Sequence, residues 1–305
     1  MRKLLATAVL AAIVVTGCGS SSSKTAAASA TTTKAAAAFP VTVGSVTLAT
    51  KPTHIVSLSP TATEMLYAVG AGSQVTAVDI YSTYPPEAPH SKLNGYDSSA
   101  EAVAAEHPDL VLLASDSGGK LAPGLAALKI PALLLPAATT LDDTYAQIAE
   151  VGKITGHGAE ATAEVAKVKG QVAAVVKSVG DKAKGKTYYH ELDNTLYTAT
   201  SHTFIGQVYS LLGMVDIADA APSKTAGDYP QISAEFLVQK NPDFVFLADT
   251  TCCQQTAATF AARPAFGQLE AVKAGHVVPV SDDIASHWGP RIVDFLKIVA
   301  DAVTK

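Results

Sequence analysis

A set of tyrosines, acids and two adjacent thiols stands out in a chain in which only 6% of residues are aromatic. Ser59, Tyr81, Tyr84, Tyr96, Ser115 and Asp116 fall at or after the ends of apolar runs in the first half. Glu191, Tyr197, Tyr229, Cys252, Cys253, Asp282, His287 and the single tryptophan, Trp288, do so in the second. Tyrosine joins a broad apolar face to a polar tip, and several together suit a large ligand that is part apolar. One tyrosine alone is more often a packing residue, so the set carries the argument. Two catalytic signatures are missing: the sequence holds no Gly-x-Ser-x-Gly elbow and no His-Glu-x-x-His helix. Gly70-Ala71-Gly72 lacks the third glycine of a dinucleotide fingerprint and reads as a helix stop. Asp282, Asp283 and His287 offer a rival reading, a metal-dependent surface enzyme, although such a site wants a fuller ligand set. His54, His157 and His202 are scattered and read as structural or solvated.

Two further carboxylates are set by a repeat. Ser99-Ala100-Glu101, then His107-Pro108-Asp109, leads into Leu110-Val111-Leu112-Leu113-Ala114. Ser233-Ala234-Glu235, then Asn241-Pro242-Asp243, leads into Phe244-Val245-Phe246-Leu247-Ala248 with the same spacing. Each copy predicts a short helix headed by a Glu, a stop before Pro, and a buried strand. Copies this far apart predict two similar lobes.

The elements that position these residues follow an α/β pattern. Val41–Val43 and Val46–Leu48 predict a small hairpin around Gly44-Ser45. His54–Pro60 predicts a buried strand ending in a loop, and Thr61-Ala62-Thr63-Glu64 opens a helix with a Thr cap that stops at Gly70. Glu64 reads there as a helix-start charge. Val75–Ile80 is the next strand, breaking at Tyr81–Pro86. Strands alternating with helices predict parallel sheets covered on both faces, whose ligands sit outside the C-terminal strand ends. From Leu141 to about Val179 the pattern is helical, divided at Gly156-His157-Gly158. The second of these helices, about Ala159 to Val179, would be ~30 Å long and act as a rigid spacer between the lobes. Gly275–Val280 predicts the last strand, and Asp282–Arg291 a polar loop into a C-terminal helix over Ile292–Val303.

The N-terminus is an address. Arg2-Lys3 precede an apolar run, Leu4 to Thr16, too short for an ordinary spanning helix. Val15-Thr16-Gly17-Cys18 matches the lipobox of bacterial lipoprotein signal peptides, which implies cleavage before Cys18 and lipid on its sulfur. Gly19 to Ala38 is almost wholly Ser, Thr, Ala, Gly and Lys, a tether composition. The expected divisions are a signal peptide over 1–17, a tether over 18–38, an N-terminal lobe over 39–157, a helix over 158–180 and a C-terminal lobe over 181–305. A net charge of −5 with no basic stripe argues against nucleic acid. Cys252 and Cys253 then form either a vicinal disulfide or two free thiols. An extracytoplasmic location favours a bridge, but adjacent Cα atoms ~3.8 Å apart lie below the usual disulfide range of ~4.4–6.8 Å.

From His54 to the C-terminus the chain resembles the class III extracytoplasmic substrate-binding proteins of ABC importers, which carry vitamin B12, ferric siderophores and haem. Ser57–Glu64, Tyr81–Pro86 and Tyr229-Pro230-Gln231-Ile232-Ser233 look most like the vitamin B12-binding branch. The resemblance implies two Rossmann-like lobes with mainly parallel sheets joined by one long interdomain helix, and a ligand held between them without catalysis or resident cofactor. It implies that Glu101 and Glu235 dock on arginines of the importer's membrane subunits. It also makes Tyr81 and Tyr229 aromatic ligand contacts, with Tyr197, Tyr96 and Asp282 near further family positions. His54 stands where that group usually has Arg, the loop Ile284–Trp288 lacks an Arg used in the B12 branch, and Cys252-Cys253 is not general to the group. The expectation is a monomeric, lipid-anchored protein delivering cobalamin or a related corrinoid, with a ferric siderophore or haem as the alternative. Ser59, Tyr81, Tyr96, Asp116, Tyr197, Tyr229, Cys252, Cys253, Asp282, His287 and Trp288 are the candidate ligand contacts.

Overall fold

The computed structural model describes residues 39–222 and 227–305. The signal peptide, the tether and Cys18 lie outside the described residues. An antiparallel hairpin, β1 (Val41–Val43) and β2 (Val46–Leu48), opens the fold with Val41 paired to Leu48. The N-terminal lobe runs β3 (Ile55–Leu58), α1 (Pro60–Ala68), β4 (Val75–Val78), α2 (Ala100–Ala104), β5 (Leu110–Leu113), α3 (Leu121–Ala127) and β6 (Ala132–Leu134). Two helices follow, α4 (Leu141–Thr155) and α5 (Gly158–Val179). The C-terminal lobe runs β7 (Thr187–Glu191), α6 (Phe204–Ser210), β8 (Val215–Asp216), α7 (Ala234–Lys240), β9 (Phe244–Leu247), α8 (Ala257–Ala261), α9 (Glu270–Lys273), β10 (Val277–Pro279), α10 (Asp282–Ser286) and α11 (Ile292–Thr304).

The two lobes share one topology. In each four-stranded parallel sheet the first strand lies inside, the second takes the edge beside it, and the third and fourth extend the other way. The sheets therefore read β4-β3-β5-β6 and β8-β7-β9-β10. The chain order reverses between the first and third strands, and the crevice outside the C-terminal ends of such a pair is where open α/β sheets take ligands. That pair is β3 with β5 in one lobe and β7 with β9 in the other.

Side-chain alternation along the strands explains why both faces of each sheet are covered. Leu110 and Leu112 of β5 enter one apolar cluster, with α1 and α4, while Val111 and Leu113 enter another, with α2 and α3. Phe244 and Phe246 of β9 likewise face α6 and α11, and Val245 and Leu247 face α7. Tyr188 and Tyr209 stack at 3.9 Å beside Phe246 and Phe295. Burying each such ring contributes about 1.5–3 kcal/mol relative to leaving it exposed.

The helix starts and stops follow local chemistry. α1 begins one residue before Thr61, because the buried Ser59 rather than a Thr accepts from the Ala62 N–H and Pro60 takes the first turn. α4 carries a capping box from Thr140 and Asp143 and ends at Gly156, whose φ of +78° favours glycine. α5 then runs 22 residues from Gly158. Val165 on α5 packs against the largest apolar cluster of each lobe, which gives the helix its joining role. No helix among the described residues is long and apolar enough to cross a membrane.

Candidate functional site

On the N-terminal lobe the aromatic face is set by a residue that sequence reasoning overlooked. Asp79 follows β4 and is buried, with 1% exposure. Its carboxylate accepts from the Ser82 hydroxyl at 2.6 Å and from the backbone N–H groups of Tyr81, Ser82 and Gly95. Burial raises its pKa, and those donors oppose the rise. Gly95 is required for this approach, since a Cβ there would lie 2.5 Å from Asp79 Oδ2 and 2.7 Å from the Leu58 carbonyl. One carboxylate thus ties the turn carrying Tyr81 to the turn carrying Tyr96. The two rings meet edge to face at 5.5 Å and stay 44% and 74% exposed. The two rings are large, exposed and tied to a buried carboxylate.

On the C-terminal lobe the neighbouring residues Asp282 and Asp283 hold two different segments. Asp282 accepts from the N–H groups of Thr251 at 3.0 Å and Cys252 at 2.9 Å, and from the Thr250 hydroxyl at 3.3 Å. Burial alone would raise its carboxyl, but the Thr251 and Cys252 donors hold it below the usual range. Asp283 accepts from Thr83 Oγ1 of the N-terminal lobe at 2.8 Å. The turn bearing Tyr81 and the loop bearing Cys252 therefore converge on one acidic pair. Tyr197 and Tyr229 lie on a second feature at the same sheet end. Leu192 N–H bonds the Tyr197 carbonyl at 2.9 Å, and Thr198 N–H bonds the Pro230 carbonyl at 3.0 Å. Tyr229 is 51% exposed there and Tyr197 half-buried.

Several sequence expectations meet a different arrangement. Ser59 is buried and its hydroxyl caps α1, so it is a framework residue. Asp116 accepts from the N–H groups of Lys120, Leu121 and Ala122 at 2.9–3.2 Å, and these donors, Ala122 foremost, hold it below the usual carboxylate range. It still lines, with Tyr96, Ser115 and Glu101, a groove of about 520 Å³. Cys252 and Cys253 are free thiols, so the vicinal bridge is not formed. Burial, with Cys253 and Asp282 alongside, pushes the Cys252 thiol up to about 12. The segment expected as a polar loop begins with the helix α10.

His287 and Trp288 depart most from expectation. His287 Nδ1 bonds Glu64 Oε1 at 2.9 Å, and Arg291 Nη2 reaches the same oxygen at 2.5 Å. Glu64, read from sequence as a helix-start charge, is 4% exposed and links α1 to the segment before α11. Trp288 donates to Gln147 Oε1 on α4 at 2.9 Å and packs against the main apolar clusters of both lobes. The Arg291 guanidinium lies 4.1 Å over the Tyr84 ring. These residues join the lobes. The trio Asp282, Asp283 and His287 is accordingly divided among three tasks, and no group of three or more His, Cys, Asp or Glu among the described residues is placed to hold a metal ion. A signal for the junction was available: the chain has three arginines, and the two past the N-terminus, Arg263 and Arg291, each pair with a buried Glu.

Glu101 and Glu235 occupy equivalent places. Each is the second residue of a helix capped by Ser, Ser99 for α2 and Ser233 for α7, and each helix leads into the third strand of its lobe. Both side chains are exposed.

Comparison with known proteins agrees with this topology. Residues 55–283 match the periplasmic binding protein family, and the chain belongs to it. A cobalamin-binding protein of Halobacterium salinarum (strain ATCC 29341 / DSM 671 / R1) is 31% identical over 282 residues, covering 87% of this chain and 74% of its own. An uncharacterized ABC transporter substrate-binding lipoprotein, YvrC of Bacillus subtilis, is 28% identical over 315 residues, covering 98% and 95%. The apo form of the periplasmic heme-binding protein RhuT from Roseiflexus sp. RS-1 superposes with a TM-score of 0.72 at 22% identity, over 83% of this chain and 98% of that one. The two-lobed α/β architecture of class III binding proteins is therefore the architecture of this chain, and its family is one of transport rather than catalysis.

Proposed function

We propose that this chain is a lipid-anchored extracytoplasmic binding protein that delivers cobalamin or a related corrinoid to an ABC importer. The observation that carries the ligand class is the pair of exposed, edge-to-face rings Tyr81 and Tyr96, fixed by Asp79 on a turn whose Thr83 bonds Asp283 of the other lobe, where Tyr229 is also exposed. A corrinoid offers a wide, part-apolar face rimmed by amides, which suits aromatic surface with polar tips. The relative that binds cobalamin supports that choice. Tyr81, Tyr96, Tyr197, Tyr229, Cys252 and Cys253 would meet the ligand, with Asp116 at the groove beside Tyr96 and Asp282 holding the thiol loop. Lipid on Cys18 and a tether over 18–38 would hang the lobes, 39–157 and 181–305 about the 158–180 helix, from the extracytoplasmic face of the cell membrane. Glu101 and Glu235 would meet the importer.

A second reading, a haem or ferric siderophore carrier, draws on the likeness in fold to the heme-binding protein. Equilibrium titration with cyanocobalamin, haemin and a ferric hydroxamate separates the two. Tight binding of cyanocobalamin alone, with unshifted visible bands, is expected. Preference for an iron chelate, with bands moved by a new axial ligand, would replace the first reading with the second.

A further inference from the structure

Beneath the loop that carries Cys252 and Cys253 lies a charged group with no part in the reading above. Glu191, the last residue of β7, and Asp249, two residues past β9, are both 0% exposed. β7 and β9 are the central neighbours of their sheet, with Glu191 in register with Leu247, so the two carboxyl groups emerge side by side at the point where strand order reverses. Arg263 grips Glu191 with two bonds, Nη1 to Oε2 at 2.7 Å and Nη2 to Oε1 at 2.6 Å. The Tyr189 hydroxyl donates to Glu191 Oε2 at 3.3 Å. Neither oxygen of Asp249 has a donor among the described residues, and the Glu191 charge acts to raise its pKa. Two carboxylates cannot both accept; a single proton between them satisfies both.

The same group is wired to the loop. The Asp249 carbonyl accepts from the N–H groups of Cys253 at 3.3 Å and Gln255 at 3.2 Å. Gln255 in turn donates to the Cys253 carbonyl at 3.0 Å and accepts from Arg263 Nη2 at 2.7 Å. On its outer side the loop is held by Asp282. We propose that Glu191, Arg263 and Asp249, with one proton held between the two carboxyl groups, form a positioning unit that fixes the loop Asp249–Gln255. The proton is what allows two acids and one cation to coexist there. The titratable and charged groups facing Asp249 are Tyr189 and Glu191 from β7 and Arg263 from the segment after α8. Burial and the Glu191 charge push Asp249 up to about 7, against the pull of Arg263. A carboxyl raised in the folded state gives stability at low pH that is lost as pH rises through that value. Above it two negative charges face one positive charge, and the loop loosens. That the loop touches ligand rests on the binding-protein reading; its dependence on the unit does not.

The test is amide hydrogen exchange of residues 250–255 in the ligand-free chain and in Asp249→Asn, at pH 6 and pH 8.5. An Asn amide donates to Glu191 with no proton to lose, and comparing the two chains at one pH cancels intrinsic exchange. Similar protection is expected at pH 6. At pH 8.5, beyond the titration of Asp249, the parent loop should exchange at least about tenfold faster than the variant. Glu191→Gln, which removes the facing charge, should flatten the dependence too, and it serves if Asp249→Asn fails to fold. Equal exchange in parent and variant at both pH values, or a pH dependence that survives the substitution, overturns the unit. Cyanocobalamin titration at the same two pH values gives the second arm, with a parent affinity that drops at pH 8.5 and a ratio near one in Asp249→Asn. Loop exchange behaving as stated with no cobalamin bound at either pH would leave the unit standing and remove the cobalamin reading.

Discussion

A chain carrying Glu101→Ala and Glu235→Ala together is expected to bind its ligand normally and to deliver none of it. The two positions are equivalent by topology, each at the head of the helix that enters the third strand of its lobe. The helix ends do not depend on these carboxylates. Ser99 and Ser233 already accept from Ala102 N–H at 3.2 Å and Phe236 N–H at 3.1 Å. At the helix end itself a Glu in the first turn adds a dipole interaction of about 0.3–1 kcal/mol at an exposed site. As far as the helix ends are concerned, loss of both should lower stability only slightly. A pair of carboxylates on matching faces of two similar lobes is, by contrast, well placed to meet a partner with two basic patches, where complementary charge sets orientation and encounter rate. Uptake of radiolabelled ligand by cells, beside titration of the purified variant, checks the split. Normal uptake by the double variant would leave the glutamates as helix-end charges.

The second large effect is expected at the junction between the lobes. Arg291→Ala should destabilise the fold by about 3–5 kcal/mol, the usual result of stripping one partner from a buried pair. Glu64 is 4% exposed, and its Oε2 already lacks a donor among the described residues. Removing Arg291 leaves that carboxylate with His287 alone at 2.9 Å. Replacing the pair by apolar residues, Glu64→Leu with Arg291→Met, should cost far less, because no charge is then left buried. Urea denaturation of the three chains measures the difference. A loss under about 1 kcal/mol for Arg291→Ala would mean that water reaches Glu64 and that the contact is an ordinary surface pair.

These two expectations mark what the sequence carries and what it does not. The duplicated Ser-Ala-Glu and Pro-Asp motifs are local, so the matching helices and strands are legible from them, as is the break at Gly156–Gly158. Strands buried on both faces are legible as continuous apolar runs in β5 and β9. Which polar residue at a strand end meets ligand is another matter. Strand ends also need caps and loop anchors, and Ser59, Asp116 and Asp282 are spent wholly or partly on those tasks. Residue type does not tell an anchor from a contact; only the direction of nearby N–H groups does. The Glu64 to Arg291 pair spans most of the folded chain, and no local spacing announces it. The tyrosines stand out by chemistry rather than by spacing, and Tyr81, Tyr84, Tyr96 and Tyr229 are four of the large apolar side chains that stay at least 44% exposed.

A corrinoid held on this face should accompany the chain through purification. Mass spectrometry of small molecules that co-purify with the chain from its native host tests it most directly. A corrinoid mass, recovered in about one copy per chain and lost when Tyr81 and Tyr229 are both changed to Ala, is the predicted result. A haem or a ferric siderophore recovered in its place would contradict it.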